Sequence, residues 1–299
     1  MKQLVIISGK GGTGKTSFTS MLANEIHHDN NVANPIFVDA DVDAANLELI
    51  LKPRILSRHA FSGGKIARID PAVCTQCLRC ISLCRFDAIY PKDDAVVVDE
   101  IACEGCSLCE VACPAGAITM EAVVYGDWFH SDSRFGMLFH ANLYPGQENS
   151  GKLVTQIKQE AIKHAKALNS QLITIDGPPG IGCPVIAAIT GADLVVIITE
   201  PTLSGISDLA RTIELTKHFS IPALVVINKT SINTALAASL TKYCQQQSIP
   251  IIGSLPYDSV MVSAMVAGKT LQEFQKANPI NQHVRQIWHT IKTTLFQEN

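Results

Sequence analysis

Gly9-Lys10-Gly11-Gly12-Thr13-Gly14-Lys15-Thr16 satisfies the pattern G-x-x-x-x-G-K-[ST], and those residue types carry one chemistry. Glycines let backbone N–H groups turn inward on a β-phosphate, Lys15 reaches the β and γ oxygens, and the Thr16 hydroxyl ligates Mg²⁺. The helix that opens with Thr16 and Ser17 adds the partial positive charge of its N-terminus. A second group of residues does different chemistry. Of ten cysteines, eight fall between positions 74 and 113, as Cys74, Cys77, Cys80 and Cys84 and again as Cys103, Cys106, Cys109 and Cys113. Both runs read C-x₂-C-x₂-C-x₃-C, a thiolate spacing suited to [4Fe–4S] clusters. Each cysteine of the first run recurs 29 positions later, so the segment reads as a duplication with two pseudo-symmetric halves. Zinc in two Cys₄ sites is the competing reading, which the triplet spacing disfavours.

These residues need elements to position them. Leu4 to Ile7 is a short apolar run before the Gly-rich turn, and Phe18, Leu22 and Ile26 recur at helical spacing after it, giving strand, phosphate loop and helix. Further buried-strand runs occur at Ile36 to Val38, Leu172 to Ile175, Leu194 to Ile198, Leu224 to Ile227 and Ile251 to Ile252, several with helical patterns between them. Such βα repetition predicts a doubly wound, mostly parallel α/β sheet. The pattern stops between about Arg54 and Val124, where the cysteines lie. The expected organisation is a core split around a small α+β insertion: 1–53, then 54–124, then 125–299. The stretch from Trp128 to Ser150 has no clear period and reads as a loop-rich return. The fourth cysteine of each run is expected to open a short helix.

At 299 residues and 47% hydrophobic the chain can bury a full core, while a net charge of −3 with 17% charged residues gives no basic field for nucleic acid or an anionic membrane. The first residues lack a secretory pattern and no apolar run spans a bilayer, so a cytoplasmic location is expected. Val284, Ile287, Trp288, Ile291 and Leu295 form a helical stripe expected to dock on the core. Cys244 reads as an idle buried thiol, and Cys183 as an ordinary small buried residue.

With Lys10 at its second position, the phosphate loop resembles that of the MinD/ParA/Mrp group of deviant-Walker P-loop ATPases, which includes the nitrogenase iron protein. The resemblance covers about residues 1 to 53 and 150 to 270. It implies binding of ATP or ADP with Mg²⁺ by Gly9, Lys10, Gly11, Gly12, Thr13, Gly14, Lys15, Thr16 and Ser17. It also implies a homodimer in the ATP state, in which Lys10 reaches across to the partner's phosphates. Lys10, Lys15 and Asp41 would then be the catalytic residues. Phe37 to Leu47 resembles switch I, where Asp41 would position the attacking water and Asp39 would support the Mg²⁺ shell; Ile175 to Gly180 resembles switch II, with Asp176 in the Walker B role. Asn228 would read the adenine edge, and Pro256 is carried over as a base contact. The cysteine runs resemble bacterial two-cluster ferredoxins, which implies crossed ligation: Cys74, Cys77, Cys80 and Cys113 for one cluster, and Cys84, Cys103, Cys106 and Cys109 for the other. Arg85 departs from the Cys-Pro seen at Cys113-Pro114, and is expected to change the turn after Cys84 and raise the nearby cluster's potential.

Together these readings imply an ATPase that couples a dimer switch to electron transfer, served by a protein electron donor and delivering to a client metalloprotein or a metallocofactor-assembly system. A Mrp-like cluster carrier and a MinD-like positioning switch with redox-sensing clusters are the alternatives.

Overall fold

Continuous apolar runs, rather than alternating ones, build the centre of the sheet, because strands covered by helices on both faces bury both rows of side chains. In the computed structural model, which describes residues 1–145, 147 and 151–297, the runs Leu4 to Ile7, Ile36 to Val38 and Leu194 to Ile198 are wholly buried. The elements in order are β1 (Lys2–Ser8), α1 (Lys15–His27), β2 (Ile36–Asp39), α2 (Leu47–Leu51), β3 (Arg54–Ile69), α3 (Arg79–Leu83), β4 (Ile89–Lys92), β5 (Ala95–Val98), α4 (Leu108–Ala112), β6 (Ile118–Ser133) and β7 (Gly136–Leu143). They continue as α5 (Lys152–Ala167), β8 (Leu172–Pro179), α6 (Cys183–Ile189), β9 (Leu194–Thr199), α7 (Leu203–His218), β10 (Ala223–Ile227), α8 (Thr234–Gln246), β11 (Ile251–Ser254), α9 (Val260–Val266), α10 (Leu271–Phe274) and α11 (Ile280–Phe296).

Nine strands form one sheet in the order β11-β10-β9-β1-β8-β2-β7-β6-β3. From β11 to β7 every pairing is parallel. Strand order reverses around β1, so the loop after β1 opens at the carboxyl ends of the strands, where doubly wound sheets bind ligands.

The chain divides into two compact units, the larger containing Met1–Arg58, Trp128–Asn142 and the chain from 151 onward, the smaller containing His59–Asp127 and a short segment from Leu143. Its boundaries therefore fall inside β3 and β6, which carry the chain from the larger unit into the smaller and back. The stretch expected to be a loop-rich return is instead the end of β6, the turn residues Arg134 and Phe135, and β7; Gly146 and 148–150 lie outside the described residues. The apolar character of Leu138, Phe139 and Ala141, all fully buried on β7, explains why this stretch extends.

α11 closes one side of the larger unit's core. Its stripe, Val284, Ile287, Trp288, Ile291 and Leu295, packs into the same cluster as Phe18, Met21, Leu22 and Ile26 of α1. Burying those five side chains stabilises by on the order of 10 kcal/mol as an upper bound. Asp29, just after α1, adds a polar clasp: its Oδ2 accepts from Lys292 Nζ at 2.7 Å and Trp288 Nε1 at 3.0 Å. Burial works against ionisation, yet the hydrogen bonds from Lys292, Asn31 and Trp288 hold its carboxyl down at about 2 from an ordinary 3.8. A depressed carboxyl contributes stability above its unfolded value and loses it as pH falls through the folded one. Asp29→Asn should thus cost about 1–2 kcal/mol at neutral pH. In urea titrations the difference from the parent should shrink between about pH 4 and pH 2; a constant difference across that window would contradict the clasp.

Candidate nucleotide and metal-cluster sites

The phosphate loop runs from the buried end of β1 into α1, and two glycines in it take left-handed backbone conformations, Gly12 (φ 78°) and Gly14 (φ 92°). Gly14 has a second reason to lack a Cβ, which would sit 2.4 Å from Asn228 Nδ2. Lys15, almost fully buried at the start of α1, lies between two switch carboxylates, 3.2 Å from Asp41 Oδ2 and 3.2 Å from Asp176 Oδ1. Burial alone would lower the lysine's affinity for its proton; Asp176, Asp41 and Asp39 outweigh it, so Lys15 is held charged. Asp176, fully buried within β8, also accepts from Thr16 Oγ1 at 2.7 Å and from Thr19 Oγ1 at 2.8 Å. The sequence thus brings Lys15, Thr16, Asp41 and Asp176 together across some 160 positions. Thr19 joins them unheralded, since one turn along a helix from Lys15 is ordinary spacing with no motif of its own.

Asp39 behaves differently. Its Oδ1 accepts from the Asp41 N–H at 3.2 Å and its Oδ2 from the Leu47 N–H at 3.0 Å, so both oxygens brace the switch segment and the start of α2. Complete burial, reinforced by the charge of Asp176, pushes this carboxyl well above the usual range. Burial also pushes Asp41 up, only partly offset by Lys15.

A cavity of about 370 Å³ opens beside the loop, lined by Gly11 to Ser17 and by Asn46, Asn228, Pro256, Tyr257, Met261 and Met265. It fits a nucleotide by three observations: volume, a glycine-rich wall at one end, and the buried Thr13 Oγ1 in that wall, which has no hydrogen-bond partner. The other end is apolar and thioether-rich, with Ser17 Oγ 2.8 Å from Met265 Sδ. Asn228 lines the cavity and also bonds locally: Nδ2 donates to the Thr13 carbonyl at 2.7 Å and Oδ1 accepts from the Lys229 N–H at 2.9 Å. It braces the phosphate loop from behind. Gly14→Ala must displace that amide and force alanine into a left-handed conformation, so its affinity for a fluorescent ATP analogue should fall by about tenfold or more. Unchanged titration curves would show that the brace is dispensable.

Lys10 lies on the exposed side of the loop, 2.7 Å from Glu200 Oε1. Lys229 Nζ donates to Glu200 Oε2 and to the Gly12 carbonyl, both at 2.7 Å. Burial opposes ionisation of Glu200, but the two lysines outweigh it and hold the carboxyl below its ordinary value. Sequence reasoning passed over Glu200 and Lys229 because they follow different strands, β9 and β10, with no fixed spacing from the loop.

In the smaller unit the two halves share local backbone features at the 29-position offset. α3 and α4 match, and so do the left-handed residues Gln76 and Gly105, Leu78 and Ser107, Asp87 and Gly116. Alternating left- and right-handed residues curl a backbone so that its N–H groups face inward, a concavity suited to anionic clusters. One small cavity is lined by Cys74, Cys77, Cys80 and Cys113, the other by Cys84, Cys103, Cys106 and Cys109. Each gathers three thiols from one half and the fourth from the other. Four cysteine thiols around each cavity are the donor set that a [4Fe–4S] group takes. The chain's residues therefore fit [4Fe–4S] groups. Backbone amides already face some of the thiols: Ala117 N donates to Cys113 Sγ at 3.4 Å and Gln76 N to Cys74 Sγ at 3.5 Å.

Two expectations are corrected here. Cys84 and Cys113 follow the short helices α3 and α4 rather than opening them, since the third cysteine of each run is the one inside the helix. Arg85 does not change the turn: Cys84 (φ −74°, ψ 110°) and Cys113 (φ −74°, ψ 112°) share one conformation. Proline's fixed φ suits that turn without being required by it. Outside both sites, Cys244 is buried in α8 and its thiol is pushed up to about 11 by burial, while Cys183, expected to be buried, is instead exposed at the start of α6. Among the described residues no helix is long and apolar enough to cross a membrane.

Comparison with known proteins agrees with this architecture. The CobQ/CobB/MinD/ParA nucleotide binding domain matches residues 4–271. The uncharacterized protein MJ0578 of Methanocaldococcus jannaschii is 31% identical over 290 residues, spanning 97% of this chain and 96% of that protein. An uncharacterized ferredoxin of the same organism, MJ0265, is 46% identical over 63 residues, 20% of this chain and 38% of the ferredoxin. Among solved structures, the MinC:MinD cell division protein complex of Aquifex aeolicus superposes with a TM-score of 0.59 at 17% identity, covering 100% of this chain and 99% of that one. MinD with Mg-ADP from Pyrococcus horikoshii gives 0.57 at 16%, covering 97% and 95%; at such identities the likeness is one of fold. On its sequence match and its sheet, the chain belongs to the CobQ/CobB/MinD/ParA nucleotide-binding family.

Proposed function

We propose that this protein hydrolyses ATP as a nucleotide-dependent homodimer and couples that cycle to electron transfer through two [4Fe–4S] clusters. Electrons would come from a protein donor and pass to a client metalloprotein or a metallocofactor-assembly system. The observation that carries the reading is the presence, in one chain, of a phosphate-loop cavity and of two cavities each lined by four cysteines drawn crosswise from two halves. The domain scheme that goes with it is an ATPase core interrupted by a ferredoxin-like insertion at about 54–124, supported by the segmental ferredoxin match.

In this account Lys15 neutralises charge on the β and γ oxygens, Thr16 and Asp176 hold the Mg²⁺ shell, and Asp41 orients the attacking water. Asp39 supports that Mg²⁺ shell while bracing the switch backbone. Lys10, supplied by the second copy, stabilises the transferring phosphoryl group as an arginine finger does. The clusters, when bound, supply one-electron carriers. The chain's own part is to hold four thiolates and inward N–H groups around each. A cluster carrier would need exchangeable ligands, whereas each cavity has a complete set of four cysteines. Kinship to the nitrogenase iron protein is likewise part of this proposal, resting on the Lys10 loop and the switch-like segments.

The test is EPR of the anaerobically reconstituted, dithionite-reduced protein with Mg-ADP and then with a non-hydrolysable ATP analogue. Signals of two coupled clusters whose midpoint moves with nucleotide are expected. Clusters that reduce identically with both nucleotides would remove the coupling to ATP.

A further inference from the structure

The two cysteine-bearing loops are alike in conformation but lean on different parts of the chain. Gln76 and Gly105 hold the same place in them, between the first and second cysteine of each run, and both are left-handed, at φ 54° and 64°. Each lines the cavity of its own loop. Since a glutamine adopts this conformation in the first half, φ alone does not call for glycine in the second. Contact does: a Cβ on Gly105 would sit 2.2 Å from the Lys65 carbonyl oxygen, so the second loop lies directly on the backbone of β3. The first loop leans elsewhere, with Gln76 Nε2 donating at 2.6 Å to the carbonyl of Asp94, in the turn between β4 and β5. Just ahead of Lys65, Gly63 and Gly64 leave room for the ring of Tyr125 on β6, whose hydroxyl oxygen would lie 2.4 Å from a Cβ on Gly64. β3 is also the strand that follows the switch segment. Asp39 Oδ2 holds the Leu47 N–H at the start of α2, and only Lys52 and Pro53 separate α2 from β3, with the proline ring stiffening that joint.

We propose that the cluster held by Cys84, Cys103, Cys106 and Cys109 is the one that responds to nucleotide, through the contact of Gly105 with the Lys65 carbonyl, and that the cluster held by Cys74, Cys77, Cys80 and Cys113 does not respond. The inference rests on the ATP-coupled reading above and names the contact that carries the coupling. A shift of the switch segment is passed along α2 and its short joint into β3, a contiguous covalent path. Close-packed backbone cannot absorb such a shift at Lys65, so the Gly105 loop moves with it. That movement changes the N–H groups and the solvent around the loop's thiolates, which tune a cluster's potential. The Gln76 loop, resting on the β4–β5 turn, lies off this path and keeps its surroundings. Gly105 is a positioning residue, acting by letting β3 approach. The duplicated halves thus divide the work: one cluster reports the state of the nucleotide site, and the other holds a constant potential.

The experiment is potentiometric EPR of the full, anaerobically reconstituted chain, with Mg-ADP and then with Mg²⁺ and a non-hydrolysable ATP analogue. In the parent, one of the two reduction steps should move with nucleotide while the other stays. Cys74→Ala with Cys77→Ala leaves only the responsive cluster and should keep the shift; Cys103→Ala with Cys106→Ala leaves only the other and should lose it. Gly105→Gln gives the second half the residue of the first while all eight thiols remain. It should displace the midpoint of its own cluster without nucleotide and abolish the nucleotide-dependent shift, whereas Gln76→Gly should leave that shift intact. Equal shifts of both steps, a shift carried by the Cys74 set, or a full shift surviving Gly105→Gln would each overturn the proposal while the coupling to ATP stands. Iron per chain checks assembly, at about four in the double-cysteine variants and about eight in Gly105→Gln. Where a double-cysteine variant holds no cluster, Gly105→Gln decides; where Gly105→Gln loses its own cluster, the double-cysteine variants decide. If neither step of the parent moves with nucleotide, the ATP-coupled reading itself fails and this inference falls with it, a result recognised in the parent alone.

Discussion

Lys15→Met should abolish ATP hydrolysis, lowering the rate by about three orders of magnitude or more while the protein stays folded. Methionine preserves the length of the side chain but none of its charge. In the parent that charge lies 3.2 Å from both Asp41 Oδ2 and Asp176 Oδ1. It sits among three buried or half-buried carboxylates, Asp39 included, and is held charged against its burial by them. Bound nucleotide would bring further negative charge to the same place, so removing Lys15 weakens phosphate binding as well as the transition state. A phosphate-release assay measures the first effect and titration with a fluorescent ATP analogue the second. Far-ultraviolet circular dichroism checks that the sheet is intact. A variant that binds and turns over ATP like the parent would show that the cavity beside the loop is not the reacting site.

Removing a single crossing cysteine should empty the cluster of the other half. In a Cys103→Ala, Cys106→Ala background only the cavity lined by Cys74, Cys77, Cys80 and Cys113 keeps its four thiols. Iron per chain in that background should be about four. Adding Cys113→Ala should bring it close to zero, although Cys113 belongs by sequence to the damaged half. Adding Cys84→Ala should leave it unchanged, because Cys84 lines the cavity already disabled. The reverse pattern would mean that each half ligates its own cluster.

What could be read in the sequence is what chemistry fixes locally. The phosphate loop and the two cysteine runs need particular residues at short, set intervals, so Lys15, Thr16 and all eight thiols stand where their spacing says. The central strands were equally plain, since parallel strands buried on both faces must be continuous in Val, Ile and Leu. β3 and β6 were hidden for the opposite reason: long parts of them are exposed, so Arg54 to Ser57 or Met120 to Val123 show no buried run to betray a strand. The contacts of Lys10 were hidden because Glu200 and Ser204 lie some 190 positions away, and an ion pair across that separation leaves no periodic mark. Asn228 shows a third kind of gap. Its place at the end of β10 was legible, but the bond its amide donates to the Thr13 carbonyl, packed against Gly14, depends on a rotamer that no spacing records.

The central claim, one chain that carries two [4Fe–4S] clusters and dimerises on ATP, is tested most directly by anaerobic native mass spectrometry with and without Mg²⁺ and a non-hydrolysable ATP analogue. The account predicts a monomer heavier than the bare chain by about 700 Da, two clusters' worth of iron and sulfide. With nucleotide it predicts a dimer carrying four clusters and two nucleotides. A monomer holding two zinc ions or no metal, unchanged by nucleotide, would contradict it.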